Sequence, residues 1–285
     1  MLVNCCFGCG SGKGEKMKFV SFNANGIRAR LHQIEALMQR HEPDVIGIQE
    51  TKVEDALFPL EPLQKMGLHA DWFGQRGHYG VALLSRQPPQ RVSKGFKDDT
   101  DSAQKRLILA QYDGGGVPVT VINGYFPQGE NREHPEKFPN KRHFYANLLQ
   151  HLQRDFHPDQ NLIVMGDMNV APQDLDVGIG ADNARRWLRT GKCCFLPEER
   201  EWLQQLLDWG LVDTFRQQQP EVDDRFSWFD YRSRGFERDP KRGLRIDLIL
   251  ASKPMAAKLQ AAGIDYDIRA LDKPSDHCPV WACFG

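Results

Sequence analysis

The sequence predicts an α/β protein, a mixed and largely antiparallel sandwich of strands with helices outside. Three observations carry this reading. From Met17 onward, short apolar runs alternate with amphipathic helical patterns, without an internal repeat or a low-complexity linker. Several apolar runs end in a carboxylate or an amide, as if their polar ends met. Finally, Asn23, Glu50, Tyr125 and Asp167 follow their strands, whereas Asp247 lies near the start of its strand and His277 precedes the next. If all six line one site, the last two strands run opposite to the others. A parallel barrel or a simple doubly wound sheet gathers its site at strand C-termini only and is disfavoured.

The elements follow in order. "KFVSF" is a short strand, and "IRARLHQIEALMQRH" places Ile27, Leu31, Ile34 and Met38 on one helical face. "DVIGIQ" is a second buried strand, followed by "YGVALLS" and "RLILAQYD". Gly114, Gly115 and Gly116 turn that last run into "VPVTVING", which predicts a hairpin. Phe144, Leu148, Leu152 and Phe156 mark a second amphipathic helix. "NLIVMGDMNVAP" carries four consecutive apolar residues, Leu162–Met165, as suits a strand buried on both faces. A third helix begins at Pro197, carries Glu198 and Glu199 in its first turn and stops near Gly210. "RIDLILA" and "PVWACF" are the last strands. No boundary splits this core, so 17–285 is expected to be one domain.

Composition narrows the class. With 40% hydrophobic and 26% charged residues the chain reads as globular, and no apolar stretch approaches the roughly 18 residues of a membrane span. A net charge of −1 gives no whole-protein bias toward nucleic acid, so a polyanion site must come from local patches. The seven cysteines, Cys5, Cys6, Cys9, Cys193, Cys194, Cys278 and Cys283, are odd in number and clustered. That pattern predicts free thiols in a reducing cytoplasm. Residues 1–16, "MLVNCCFGCGSGKGEK", are unlike the rest and are expected to form a disordered extension. They lack the features of a signal peptide, of a phosphate loop and of a complete zinc site. Met17 opens a clean strand and is an alternative start.

The polar strand ends are the candidate site. Side chains two apart on extended chain face the same way, so Asp167 and Asn169 can point together, as can Asn23 and Asn25. Each alone has a plainer reading: Asn25 as a helix N-cap, Tyr125 as a half-buried aromatic, His277 as a surface histidine. Asp247 is harder to dismiss, because Ile246, Leu248, Ile249 and Leu250 surround it and a carboxylate there needs a partner such as a histidine. Repetition across several strands favours a site. Oxygen donors suit Mg²⁺ or Mn²⁺ more than Zn²⁺, and phosphate chemistry fits such a set. Catalysis on an anionic diester needs charge neutralisation, a base and help for the leaving oxygen. Glu50 could hold the metal, Asp167 could take a proton from water, and His277, oriented by Asp247, could stabilise developing charge.

"FNANGIRAR", "IGIQETK", "INGYFPQG", "GDMNVAP", "RWLRTGKCCFLPEE", "FSWFDYRSRGF", "GLRIDLILAS" and "PSDHCPVW" together resemble the bacterial exonuclease III family. These are magnesium-dependent DNA-repair nucleases of the endonuclease/exonuclease/phosphatase superfamily. The likeness runs from Met17 to Phe284 in family order, leaving residues 1–16 outside it. It implies a four-layer α/β sandwich, two mixed β-sheets packed face to face with helices outside. It also implies 3′-to-5′ exonuclease action on duplex DNA, incision 5′ to abasic sites and removal of 3′-blocking groups. Mg²⁺ is the expected cofactor, with Mn²⁺ as a substitute. The metal set carried over is Asn23, Asn25, Glu50, Asp167, Asn169, Asp276 and His277. The catalytic set is Tyr125, Asp167, Asn169, Asp247 and His277. Whether Asp167 or an ionised Tyr125 accepts the proton stays open, as does the number of ions.

Residues 225–245 hold seven Arg/Lys, three Asp/Glu and five aromatics, a local excess of +4. Such a segment suits DNA, with cations on phosphates and aromatics on sugars or bases. The plainer alternative is a solvated loop in which Trp228 and Phe229 are buried. The expected DNA contacts are Arg106, Trp228, Phe229, Arg232 and Leu244, with Arg185 and Arg186 from "NARRWLRTGK". By resemblance, Trp228 and Leu244 line a pocket for a flipped-out abasic sugar. The expected partner is double-stranded DNA with abasic sites or 3′ ends, met by a cytoplasmic monomer that uses no membrane. The rivals are a phosphoesterase acting on inositol phosphates or phospholipids, and a DNA-binding protein without catalysis.

Overall fold

The structure is a computed structural model and describes residues 16–285. Expectations for the cysteine-bearing N-terminal stretch fall on residues outside that range. Among the described residues the strands are β1 (Met17–Asn23), β2 (Val45–Gln49), β3 (His69–Phe73), β4 (Val81–Ser85), β5 (Arg91–Lys94) and β6 (Leu107–Asp113). They continue with β7 (Pro118–Tyr125), β8 (Leu162–Asp167), β9 (Leu211–Asp213), β10 (Asp247–Ser252), β11 (Leu259–Ile264) and β12 (Val280–Phe284). The main helices are α1 (Leu31–His41), α2 (Leu60–Lys65), α3 (Lys137–Asp155), α4 (Ala181–Thr190) and α5 (Pro197–Asp208). No helix of the described residues is long and apolar enough to cross a membrane.

The strands form two six-stranded sheets, ordered β11-β12-β1-β2-β4-β3 and β5-β6-β7-β8-β10-β9. Among the described residues only β1 with β2 and β7 with β8 pair in parallel; the other ladders are antiparallel. A parallel pair needs a crossover, and here the crossovers carry α1 and α3, which cover the outer faces. As the order of polar residues implied, β10 runs against β8 and β12 runs against β1.

Alternation sends successive side chains to opposite faces. Phe19, Val45 and Leu83 of one sheet meet Val121, Ile163, Met165 and Ile249 of the other in the central core. Val20, Phe22, Ile46 and Ile48 pack outward with Ile34, Leu37 and Leu63 of α1 and α2. Ile122, Val164, Leu248 and Leu250 pack outward with Phe144, Leu148 and Leu152 of α3 and Leu203 and Leu206 of α5. Apolar groups are therefore wanted on both faces, which is why these strands read as unbroken apolar runs.

Helix α1 departs from expectation. Ile27 lies in a separate 3₁₀ turn, Ile27–Ala29, and the helix restarts at Leu31 after Arg30 leaves helical geometry. The phase resets, so Ile34 and Leu37, with Gln33 and His41, form the buried face, while Leu31 and Met38 are only half-buried. Asn25 does not cap it. That residue takes φ 46° and turns its side chain to Asp276 and Lys52 instead.

Candidate active site

The inward-facing columns of both sheets change from apolar to polar toward one end of the sandwich. Phe19 leads to Ser21 and Asn23 on β1, Val121 to Asn123 and Tyr125 on β7, and Met165 to Asp167 on β8; on β10, Ile249 is preceded by Asp247. Tyr125 and Asp247 are both register partners of Asp167, so the three share one row. Beyond the strand ends the chain turns sharply. Asn25, Glu50, Lys52 and Asn169 all have φ between 46° and 53°, a left-handed geometry that non-glycine residues enter at some cost and that clusters at functional sites. These turns aim Glu50 and Asn169 back over the polar end.

The side chains meet there. The Asn23 amide donates to Glu50 Oε1 at 3.0 Å and to Asp167 Oδ2 at 2.9 Å, bridging two carboxylates. Lys52 lies 2.7 Å from Glu50 Oε2. The main-chain N–H of Asn169 donates to Asp167 Oδ1 at 3.0 Å, and its amide donates to the carbonyl of Phe126. His277 Nδ1 lies 2.8 Å from Asp247 Oδ2, and its Nε2 lies 3.8 Å from Asp167 Oδ2. Ser227 Oγ accepts the N–H groups of Ile246 and Asp247, fixing the start of β10. Asp276 is held from two sides, by Asn25 at 2.7 Å and by the Trp228 indole at 3.1 Å.

Electrostatics separates the roles. Burial, helped by the Asp247 and Glu50 carboxylates, pushes Asp167 up to about 7 although His277 opposes the shift. Burial works against a charged His277, but Asp247 and Asp167 outweigh it and raise the imidazole to about 10. A charged imidazole has no lone pair for a cation and donates through both nitrogens. Burial likewise opposes ionised Glu50, yet Lys52 and Asn23 hold it below its ordinary value. Tyr125 is pushed well above the usual phenol range by burial and by the Glu50 and Asp167 carboxylates, leaving it a neutral O–H.

The set fits a hard divalent cation. The Glu50 and Asp167 carboxylates and a His277 ring nitrogen all lie within 4.8 Å of one another, and with the imidazole charged the two carboxylates are the donors to a cation. The Glu50 and Asp167 carboxylates converge with one amide between them, a polar oxygen-rich niche of the kind Mg²⁺ or Mn²⁺ takes. Cys194, the thiol that reaches the same cavity, is pushed up to about 12 by burial and offers no thiolate.

The cavity has a volume of about 340 Å³. Glu50, Tyr125, Asp167, Asn169 and His277 line its floor, and Trp228, Leu244 and Ile246 form one wall. Leu244 pairs with Trp228 through main-chain bonds in both directions, so the two wall residues stand as a unit. Of the expected DNA contacts, Phe229 is a correction. It is 0% exposed, packed against Phe226, Phe236 and Tyr266, because the residue after a cavity-facing Trp228 points into the protein. Arg106 is also largely buried, its guanidinium between the rings of Tyr79 and Tyr125 at 4.2 and 4.6 Å and bonded to the Tyr125 carbonyl. It braces Tyr125 from behind. Arg232 is exposed in the loop after Trp228, away from the cavity lining. Arg185 and Arg186 are exposed on α4, next to Trp187, which does line the cavity.

Residues 20–277 match the family described as the Endonuclease/Exonuclease/phosphatase family. The chain belongs to that family. It is 55% identical over 268 residues to the Exodeoxyribonuclease III of Haemophilus influenzae, covering 94% of this chain and 100% of the relative. Among solved structures, a variant of the 3′ phosphatase NExo from Neisseria, bound to a product DNA hairpin, superposes with a TM-score of 0.86 at 39% identity, covering 94% of this chain and 99% of the other. An AP endonuclease from Archaeoglobus fulgidus superposes with a TM-score of 0.85 at 34% identity, with the same coverage. The two mixed sheets with outer helices are the α/β sandwich of this family.

Several residues of the site were not legible from strand ends. Lys52, Gln128, Trp187, Lys192 and Cys194 reach the cavity or its carboxylates from loops and from the end of α4. The hint was there for Gln128, three residues after Tyr125. Asn123, two residues before Tyr125 on β7, does not line the cavity. It lies between the sheets, donating to the carbonyls of Ile48 and Ala82 and accepting from Gln49, and so ties the two sheets together beneath the site.

Proposed function

We propose that this chain is a metal-dependent DNA-repair phosphodiesterase. It cuts duplex DNA 5′ to abasic sites, degrades duplex from 3′ ends and removes 3′-blocking groups. One hydrolytic centre serves all three, because each breaks a P–O bond beside a 3′ oxygen. The observation that carries the reading is the convergence of Glu50, Asp167 and His277 at the floor of a cavity walled by Trp228 and Leu244.

Glu50 is the principal carboxylate for the cation, with Asp167 beside it and Asn23, Asn25, Asn169 and Asp276 fixing their places. Mg²⁺, or Mn²⁺ in its stead, supplies charge neutralisation on the phosphate when bound. Asp167, which a bound cation would keep ionised, accepts the proton of the attacking water. Tyr125, kept neutral by burial and by the Glu50 and Asp167 carboxylates, serves as a donor to a phosphate oxygen. His277, kept charged by Asp247, donates its Nε2 hydrogen to the oxygen on which charge develops. Trp228 and Leu244 shape a recess that admits a sugar lacking a base. Arg185 and Arg186 meet the backbone of bound DNA.

The test uses end-labelled duplex with one abasic analogue, with Mg²⁺ or with chelator. The expected result is incision on the 5′ side that needs metal and falls sharply in Glu50→Ala. Asp167→Asn should lose more than about 100-fold, since general-base catalysis is worth roughly 10²–10⁴. Full activity in Asp167→Asn, or no incision by the wild type, would overturn the assignment.

A further inference from the structure

Beneath the site lies an ion pair that the mechanism above does not use. Lys141 of α3 and Glu199 of α5 are both 0% exposed and face each other. The ammonium has three N–H groups and three acceptors. They are the Glu199 carboxylate, the main-chain carbonyl of Asn169 at 2.7 Å and that of Gln128 at 3.2 Å. The other Glu199 oxygen accepts the Leu196 N–H at 2.8 Å. One turn along α3, Tyr145 donates to the carbonyl of Met168 at 2.7 Å. A single helix face thus grips two consecutive carbonyls of the turn that carries Asn169, the residue at φ 53°. Burial works against the Lys141 ammonium, but Glu199 outweighs it and the lysine titrates above its ordinary value.

Stability alone does not explain this arrangement. A buried ion pair is often no better, for stability, than apolar side chains of the same volume. What an apolar pair cannot do is hold two carbonyls of two separate loops at a fixed separation. Both loops carry side chains that line the cavity, Asn169 and Gln128.

We propose that Lys141, clamped by Glu199, is a positioning residue for the reaction: it fixes the main chain at Asn169 and Gln128 and so sets where the Asn169 amide stands over the scissile phosphate. The proposal rests on the phosphodiesterase reading for its substrate. Its test is the paired replacement Lys141→Met with Glu199→Leu, which removes both charges together. The expected result is an unchanged or higher thermal midpoint and an unchanged Kd for uncut abasic duplex in chelator. The kcat should fall about 10–100-fold, the scale of a misplacement of about 1 Å. In an Asn169→Ala background the same pair should change kcat by less than about threefold, because residues acting as a unit are not additive. The proposal is overturned if kcat stays near wild type, or if the loss is undiminished without the Asn169 amide. Should the paired variant not fold, Lys141→Gln with Glu199→Gln, too short to span both carbonyls, is judged by the same outcomes. An independent readout is the side-chain amide resonance of Asn169, which should move on pair replacement. An unmoved resonance sinks the clamp, whereas a wild type inert on abasic duplex sinks only the functional reading.

Discussion

Trp228 and Phe229 are chain neighbours with different surroundings. The indole faces the cavity and donates to Asp276, while the phenyl ring is fully enclosed by Phe226, Phe236 and Tyr266. Phe229→Ala should therefore destabilise the fold by about 3–5 kcal/mol in urea unfolding. Trp228→Ala should weaken binding of abasic duplex with a much smaller loss of stability. Equal losses of stability would remove the distinction. Composition marked the whole segment as basic and aromatic, but which aromatic faces outward depends on the main-chain pairing of Trp228 with Leu244. Asp167 gives a second expectation at this scale. Its carboxyl is pushed up to about 7, so at lower pH it carries a proton that a cation must displace. Cation affinity should rise about tenfold per pH unit up to about 7 and level off above it, as one-proton linkage requires. Calorimetric titration with Mn²⁺ from pH 5.5 to 8.5 measures this; a flat profile contradicts it. Asp167 and Asn169 were both named from the sequence, but Asn169 reaches the cavity through a left-handed turn at φ 53° and not through the alternation of extended chain. Asp276, expected near the metal, lines the cavity and accepts from Asn25 and from Trp228.

Strand β8 shows how an element sets the site. Gly166 precedes Asp167 with φ 149°, and a Cβ there would lie 1.9 Å from the Gly124 carbonyl on β7. The close approach keeps Tyr125 and Asp167 in one row. Gly166→Ala should push β7 and β8 apart, costing about 1–3 kcal/mol as overpacking does. It should also lower kcat on abasic duplex, because the row of reacting groups is disturbed. A variant with unchanged kcat and unchanged urea midpoint would contradict this role. The elements themselves were largely legible, because both faces of the central strands are covered and demand apolar residues. The start of α1 was not, since a glycine turn and a non-helical Arg30 reset its phase without interrupting the apolar spacing.

Over the whole molecule, a buried charge cluster joins the cavity wall to the second sheet. Arg245, between the lining residues Leu244 and Ile246, binds Asp176 at 2.6 Å and Asp213 at 2.7 Å, and Arg216 also reaches Asp176. Burial opposes ionised Asp176, but the two guanidinium groups outweigh it and hold its pKa below the ordinary value. A carboxyl depressed in the folded state contributes stability at pH above its unfolded value of about 4, and that contribution is lost as pH falls through the folded value. Asp176→Asn should therefore cost about 3–5 kcal/mol at pH 7, because buried Arg216 loses its carboxylate and Arg245 keeps only Asp213. The gap to wild type should stay constant down to about pH 4 and narrow only below it. Urea midpoints from pH 7 to pH 3 decide this; a gap that closes well above pH 4 is the contrary result.

The central strands, the helices α3 and α5, the antiparallel sense of the last strands, and the oxygen-and-imidazole character of the site were legible in the sequence alone, whereas β3, β5, β9, β11, α2 and α4 were not. Each legible feature is local: a period of apolar residues, a glycine turn, a polar residue placed before or after a run. Only the tertiary structure decided which polar residues meet. Asn123 became a tie between sheets, Asp276 a support for Trp228, Phe229 a core ring, and Lys141 with Glu199 a buried clamp. The physical reason is that a side chain's role follows from what packs across from it. Partners as far apart as Asn23 and Asp167, separated by 144 positions, are joined only when the two sheets close on each other.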